Sequence, residues 1–163
     1  MKLDLKNAEV KDIPIIKSLA EKIWMIHYPP IIGHEQVTYM LEKMYDPASL
    51  TEQMEIKKHV FYFVMKENKP VGFISVHLES EGKYMLNKFY ILSEEQAKGE
   101  GTHAFRLLLK ELQGMSEIRL TVNRQNFKSI NFYFKNGFKI ESVADFDIGN
   151  GYYMNDFVML YQA

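Results

Sequence analysis

The stretch KFYILSEEQAKGEGTHAFRLLL, residues 88–109, is the most informative part of the chain. Residues 85–92 read as a strand, rich in aromatic and branched side chains. A short polar loop follows. It runs through Gln96-Ala97-Lys98-Gly99-Glu100-Gly101, and an amphipathic helix begins at once. Two glycines at a helix entrance leave backbone N–H groups sterically open, in a first turn whose N–H groups have no intrahelical partners. The helix dipole adds partial positive charge at the same place. The combination suits a pyrophosphate, so a nucleotide-like ligand is the leading expectation. A plain tight turn into a helix is the competing reading, since glycine is also the default turn residue.

Working outward, the rest of the chain reads as alternating helical and strand periods. Residues 2–10 form a first strand. Asp12-Ile13-Pro14 opens a helix, with Ile15, Leu19 and Ile23 at helical spacing up to Ile26. Tyr28-Pro29-Pro30 stops it. Further helices cover residues 34–44 and 47–57. The period then changes to two, giving strands at 60–65, 71–78 and 83–92 with turns at Asn68-Lys69 and Glu81-Gly82. The helix of 99–112 ends near Gly114. A strand at 117–122, a helix at 126–135 closed by Asn136-Gly137, and strands at 138–146 and 153–161 around Gly149-Asn150-Gly151 complete the chain. This order is α/β with a mixed sheet.

The composition sets bounds. A chain of 163 residues without linker, repeat or low-complexity tract reads as a single domain, 1–163. Hydrophobic residues make up 47% and charged residues 25%, with a net charge of −1, so nothing favours nucleic acid or a membrane surface as partner. The absence of cysteine removes disulfides, thiolate metal sites and a cysteine nucleophile. His27, His34, His59, His77 and His103 lack metal-ligand spacing, so no metal is expected. No signal peptide and no apolar run long enough for a transmembrane helix can be read, which makes the cytoplasm the expected location.

Gly99-Glu100-Gly101-Thr102-His103-Ala104 also fits the dinucleotide pattern G-x-G-x-x-A. That pattern belongs immediately after a strand, whereas residues 92–98 intervene here. A phosphate loop of the G-K-[ST] type is absent. Gln96-x-x-Gly99-x-Gly101 instead resembles the Q/R-x-x-G-x-G/A acetyl-CoA loop of the GNAT N-acetyltransferases, and Phe89-Tyr90-Ile91-Leu92 resembles the fourth strand of that family. Downstream, Asn126-x-x-Ser129-x-x-Phe132-Tyr133-x-x-x-Gly137-Phe138 resembles a second signature of the family, with Ser129 where alanine is usual. The two blocks are correctly ordered and spaced, and the element order agrees along the whole chain.

The resemblance implies a GNAT-like, mostly antiparallel sheet of about seven strands flanked by helices, splayed between its fourth and fifth strands. It implies acetyl-CoA as cosubstrate. Backbone N–H groups of Ala97, Lys98, Gly99, Glu100, Gly101 and Thr102 would hold the pyrophosphate, beside Gln96. Pantetheine would pair with the backbone of Phe89 and Ile91, and Asn126 would reach it from the next helix, near Ser129. Asn126 reads equally as that helix's N-cap. Tyr133 is the expected acid for the departing thiolate, and the backbone N–H around Tyr90 the expected oxyanion donor. A packing role is the alternative for Tyr133, which lies next to the helical face of Ile130 and Phe134. Glu79, Asn87, His77 and Asp156 are candidate bases, and Lys98 and Lys135 candidate phosphate contacts.

The acceptor, a small-molecule amine or peptide, is expected between residues 24–45 and 146–153. The first of these stretches loosely resembles polyamine and small-amine acetyltransferases. Tyr28, Tyr39, Tyr45, Tyr152 and Tyr153 are candidates for a cleft wall, and Asp145, Asp147, Asp156, Glu79 and Glu81 for attracting a cation. The last strand, 153–161, is long and apolar. Read as a bare sheet edge, it invites a homodimer. A non-catalytic acetyl-CoA-binding module and a dinucleotide-binding domain are the alternatives to an enzyme.

Overall fold

The computed structural model describes residues 2–92 and 99–163. The elements run β1 (Leu3–Asn7), a 3-10 turn (Val10–Asp12), α1 (Ile13–His27), α2 (Pro29–Ile32), α3 (His34–Tyr45), α4 (Pro47–Glu55), β2 (Val60–Lys66), β3 (Lys69–Ser80), β4 (Lys83–Ile91), α5 (Glu100–Glu111), β5 (Glu117–Asn123), α6 (Phe127–Lys135), β6 (Lys139–Gly149) and β7 (Tyr152–Gln162). One helix was not expected. Pro29 and Pro30 do end α1, but they also open α2, because a first helical turn tolerates residues that lack an N–H. No helix among the described residues is long and apolar enough to cross a membrane.

The seven strands hydrogen-bond in the order β1-β2-β3-β4-β5-β7-β6. The neighbours β1–β2, β2–β3, β5–β7 and β6–β7 are antiparallel. β4 and β5 are parallel, through Lys83–Glu117, Tyr84–Ile118 and Met85–Arg119, and their ladder ends there. This is the mixed, mostly antiparallel sheet that the sequence implies. The expectation that the last strand forms the edge is overturned. β7 is paired on both sides, by β5 and by β6, and the Gly149-Asn150-Gly151 turn returns it inward so that β6 takes the outer position. All three turn residues have positive φ, between 53° and 89°, which explains the two glycines.

The chain packs as two compact units, Met1–His77 with Lys88–Gln113 and Leu78–Asn87 with Gly114–Ala163. In the first, Phe61, Tyr62, Phe63 and Val64 of β2 are all buried. Such a run without alternation marks a strand covered on both faces. On one face Trp24 of α1 meets Tyr90 and Tyr45 of α3 meets Phe73. On the other, Phe105 of α5 meets Phe89, with ring centres 6.4 Å apart. Each large apolar side chain so buried contributes about 1.5–3 kcal/mol. The second unit is built differently. β5 alternates strictly, with Ile118, Leu120 and Val122 buried. Ile130, Tyr133, Phe138 and Met159 are also buried there.

Candidate active site

α5 follows Gly99, which adopts the left-handed conformation (φ 74°, ψ 14°), and among the described residues no side chain caps the first turn. A Cβ on Gly99 would meet nothing within 4 Å, so glycine is favoured by the backbone angle and not by crowding. Glu100 opens the helix. Its carboxylate turns inward, where only 2% of the residue is exposed, and Lys66 Nζ of β2 lies 3.0 Å from Oε1. Oε2 has no hydrogen-bond partner among the described residues. A carboxylate in a first turn is favoured by the helix dipole. Here it also fastens the start of α5 to β2, so only the backbone of Glu100 is left for an external ligand. The N–H of His103 closes the first turn on Gly99 O at 3.2 Å, and Gly101 is buried. Gln96, Ala97 and Lys98 lie outside the described residues, as do Ser93, Glu94 and Glu95.

Phe89, Tyr90 and Ile91 end β4 in the same unit. A Cβ on Gly72 of β3 would stand 2.2 Å from the Tyr90 carbonyl oxygen and 3.0 Å from Ile91 Cα. Only glycine lets β3 come this close to the expected pantetheine strand. Sequence reasoning missed it, although a lone glycine inside a strand pattern is the usual sign of close backbone approach. The Tyr90 side chain points to the helical face. Its hydroxyl lies 3.3 Å from that of Tyr28, and its ring sits 5.8 Å from Trp24 and 5.6 Å from Phe73. Tyr45 belongs to the same cluster but is buried, so it is core and not cleft wall.

Lys88 was also missed. Two residues before Tyr90, it is buried on the same face of β4 and donates to Gln53 Oε1 at 2.9 Å. Gln53 is held in turn by donating to Met44 O and Ser49 Oγ. The rings of Tyr45 and Phe61 flank the Lys88 ammonium at 5.3 and 5.7 Å. Burial, and secondarily the charge of Lys57, lowers the Lys88 pKa to about 8. Nearby, His59 stacks on His77 at 4.6 Å, and burial followed by the His77 charge lowers the His59 pKa to about 4.

The second unit holds Asn126, Ser129 and Tyr133. Asn126 caps α6, its side-chain oxygen accepting the Ser129 N–H at 3.3 Å. Tyr133 is buried, with its ring 5.3 Å from Phe138 and 5.4 Å from Phe132. Of the two residues expected to share the neighbouring face, Ile130 is buried and Phe134 is exposed, so the buried stripe runs through Ile130 and Tyr133 instead. Lys135 lies in the last turn of α6, at the end opposite Asn126.

Asp156 of β7 is 2% exposed. Burial raises its pKa to about 6, while a hydrogen bond from Thr121 and the charge of Arg124 oppose the shift. Arg124 donates to the Asp156 carbonyl at 3.2 Å and to Asp145 Oδ1 at 2.9 Å. Of the other candidate bases, Glu79 is exposed at the end of β3, His77 is stacked on His59, and Asn87 is half-buried in β4. The described residues contain no group of three or more His, Cys, Asp or Glu able to hold a metal ion. A pocket of about 570 Å³ between β1 and α5, lined in part by Asp4, Lys6, Leu107 and Lys110, contains none of the expected site residues.

Comparison with known proteins agrees with this architecture. The family described as Acetyltransferase (GNAT) matches residues 21–138. The chain belongs to the GNAT acetyltransferase family and is an acyltransferase. A spermidine N(1)-acetyltransferase of Thermoplasma acidophilum is 24% identical over 155 residues, covering 90% of this chain and 94% of that protein. The crystal structure of the PaiA N-acetyltransferase of Thermoplasma acidophilum in complex with coenzyme A superposes with a TM-score of 0.83 at 24% identity, over 100% of both chains. An acetyltransferase of Thermus thermophilus superposes with a TM-score of 0.77 at 19% identity, over 100% of this chain and 98% of that one.

Proposed function

We propose that the chain moves the acetyl group of acetyl-CoA to a primary amine of a small molecule or peptide, by direct attack in a ternary complex. The observation that carries this reading is the start of α5. It is a left-handed glycine at a helix N-terminus that no described side chain caps, and the acidic side chain of its first turn is folded away onto Lys66. That arrangement suits an anionic ligand held by backbone N–H groups. The coenzyme A complex of the Thermoplasma structure and the spermidine named for the Thermoplasma relative favour acetyl-CoA and an aliphatic amine.

In this reading acetyl-CoA supplies an activated acyl group as a thioester. Backbone N–H groups of residues 97–102 hold the pyrophosphate, and the backbone of Phe89 and Ile91 lines up the pantetheine arm. The Tyr90 N–H receives the oxyanion. The nitrogen–carbon bond forms, the carbon–sulfur bond breaks, and Tyr133 donates its phenolic proton to the sulfur. Asp156 is the base we assign for the ammonium proton, because a carboxylate titrating near pH 6 accepts a proton more readily than an ordinary one.

Thermal unfolding with saturating acetyl-CoA, with NADH as comparison, tests the binding step. Ligand at about a hundred times its dissociation constant stabilises by roughly 2.7 kcal/mol. A rise with acetyl-CoA alone, followed by thiol release with spermidine-like amines, is expected. No rise, or a rise with NADH instead, overturns the reading. Binding without thiol release from any amine leaves a binding module in its place.

Asp156 has its own test. Its carboxyl is protonated in both folded and unfolded chains below about pH 4, so burial then carries no electrostatic penalty. Above pH 6 the folded chain must hold a buried charge, at a cost of about 3 kcal/mol. Asp156→Asn is therefore expected to raise the melting temperature at pH 8, to change it little at pH 4, and to remove the pH 6 limb of turnover. A variant that keeps that limb rules Asp156 out as the base.

A further inference from the structure

We propose that the buried Lys88 ammonium sets the charge at the acyl centre: held on the thioester strand without a counter-ion, it favours the oxyanion and disfavours the ammonium form of the acceptor. The inference rests on the acetyl transfer proposed above. It gives Lys88, which that mechanism leaves unused, a positioning role and not a catalytic one. Lysine is seldom fully buried unless it is paired. Lys88 is 5% exposed, yet among the described residues no carboxylate pairs with it. Its hydrogen-bond acceptor, Gln53 Oε1, is fixed in place. The Gln53 amide nitrogen donates to Met44 O and Ser49 Oγ, so the oxygen faces the lysine. The ring faces of Tyr45 and Phe61 attract the cation without neutralising it. The titratable groups around it supply no negative charge. Lys57, two residues past α4, repels it. Lys88 in turn acts on His59, which stacks on His77, and burial keeps the Tyr45 hydroxyl protonated.

The place of Lys88 on β4 brings this charge to the reaction. It stands three residues past the last β4–β5 pair, Met85–Arg119, and immediately before Phe89, Tyr90 and Ile91. Residues two apart on a strand leave the same face, with Cα atoms about 6.6–6.8 Å apart. Lys88 and Tyr90 share that face, and rings join them. Tyr45 meets the ammonium at 5.3 Å and Phe73 at 5.9 Å, and Phe73 meets Tyr90 at 5.6 Å. A charge acting through packed side chains is screened far less than one acting through water.

Direct attack moves charge in the direction that a fixed cation favours. The acceptor ammonium loses a proton to Asp156, and its nitrogen bonds to the carbonyl carbon, whose oxygen becomes negative. The nitrogen sheds a second proton to solvent. The carbon–sulfur bond then breaks, and Tyr133 protonates the sulfur and is reprotonated from solvent. Up to that break the reacting atoms go from one positive charge to one negative charge. A unit charge roughly 10 Å away, at an effective dielectric of about 20, changes such a step about tenfold.

The pH profile of kcat tests the proposal. Thiol release from acetyl-CoA is followed with spermidine, or with the fastest amine of a panel, from about pH 6 to about pH 10. The chain has no cysteine, so a thiol reagent reads coenzyme A alone. Burial lowers the Lys88 pKa to about 8, so kcat of the unaltered protein should fall above pH 8. Lys88→Met, similar in length but neutral, should be about tenfold slower near pH 7 and should match the unaltered protein by about pH 10. Lys57→Ala, at an exposed position, removes the neighbouring cation and should move the fall to higher pH. A loss in Lys88→Met that is the same at every pH is a packing effect and overturns the proposal. So does full turnover by that variant near pH 7. If Lys88→Met does not fold, the unaltered protein and Lys57→Ala decide: no fall above pH 8, or a fall that stays in place, counts against Lys88. These outcomes leave acetyl transfer standing. An unaltered protein that binds acetyl-CoA but releases no thiol with any amine removes the transfer itself, and this inference with it.

Discussion

The two helices that follow central strands start in opposite ways. α6 is capped from within, Asn126 accepting the N–H of Ser129. α5 has no side-chain cap among the described residues, starts from a left-handed glycine, and hides its acidic residue against Lys66. Both starts obey the same requirement, that first-turn N–H groups find acceptors. One meets it with its own side chain, and the other is the start proposed to take its acceptor from the cosubstrate. In the proposed function the α5 start anchors the cosubstrate and Tyr133 on α6 contributes the acid, so substitutions at each start should fail in different ways.

The largest effect is expected on α6 and on turnover alone. Tyr133→Phe removes the proposed proton donor to the departing sulfur and should lower kcat about a hundredfold or more, within the usual range for a lost general acid. The stabilisation by acetyl-CoA should be unchanged, because the proposed anchor lies at the other helix. Full turnover in this variant would return Tyr133 to a purely packing role beside Phe138.

Next comes the fastening of α5. Lys66→Met leaves Glu100 buried without its counter-ion, which costs about 3 kcal/mol and about 10 °C in melting temperature for a chain of this size. Adding Glu100→Gln should recover most of the loss, since the double variant buries no charge. If the single variant is as stable as the parent, the ion pair does not fasten the helix. Third, Gly101→Leu should weaken acetyl-CoA about a hundredfold, or about 3 kcal/mol. Gly101 is buried, so the melting temperature without ligand is measured beside it, and Gly101→Ala supplies the smaller step. Normal acetyl-CoA binding by the leucine variant would show that the loop is not the pyrophosphate site.

Much of the fold could be read in advance where one physical rule dominates. β5 alternates because one face is wet, β2 runs apolar because both faces are covered, and the turn glycines follow from positive φ. The two family blocks located the α5 and α6 starts and Tyr133. What escaped reading depends on pairings far apart in sequence. Lys66 and Glu100 are 34 positions apart, and Lys88 and Gln53 are 35. No local pattern marks either partner. The edge assignment failed for a related reason. Apolar character made β7 look like an exposed strand in need of cover, yet the same character is what an interior strand requires, and only the strand order decides between them.

The smallest expected effect probes the capped start most directly. Asn126→Ala removes the side-chain acceptor of the Ser129 N–H and should cost about 1 kcal/mol of stability. If the side chain serves only the helix, acetyl-CoA affinity should change by less than about threefold, under 1 kcal/mol. Serine is as good an N-cap as asparagine but is shorter and has no amide. Asn126→Ser should therefore restore the melting temperature whatever else Asn126 does. Affinity that also stays at the parent level would make the two helix starts fully distinct, one closed by its own chain and one kept for the cosubstrate. Affinity that falls about tenfold while stability recovers would show that the Asn126 amide reaches pantetheine as well. In that case the contrast between the starts lies in their caps, and both units hold the cosubstrate.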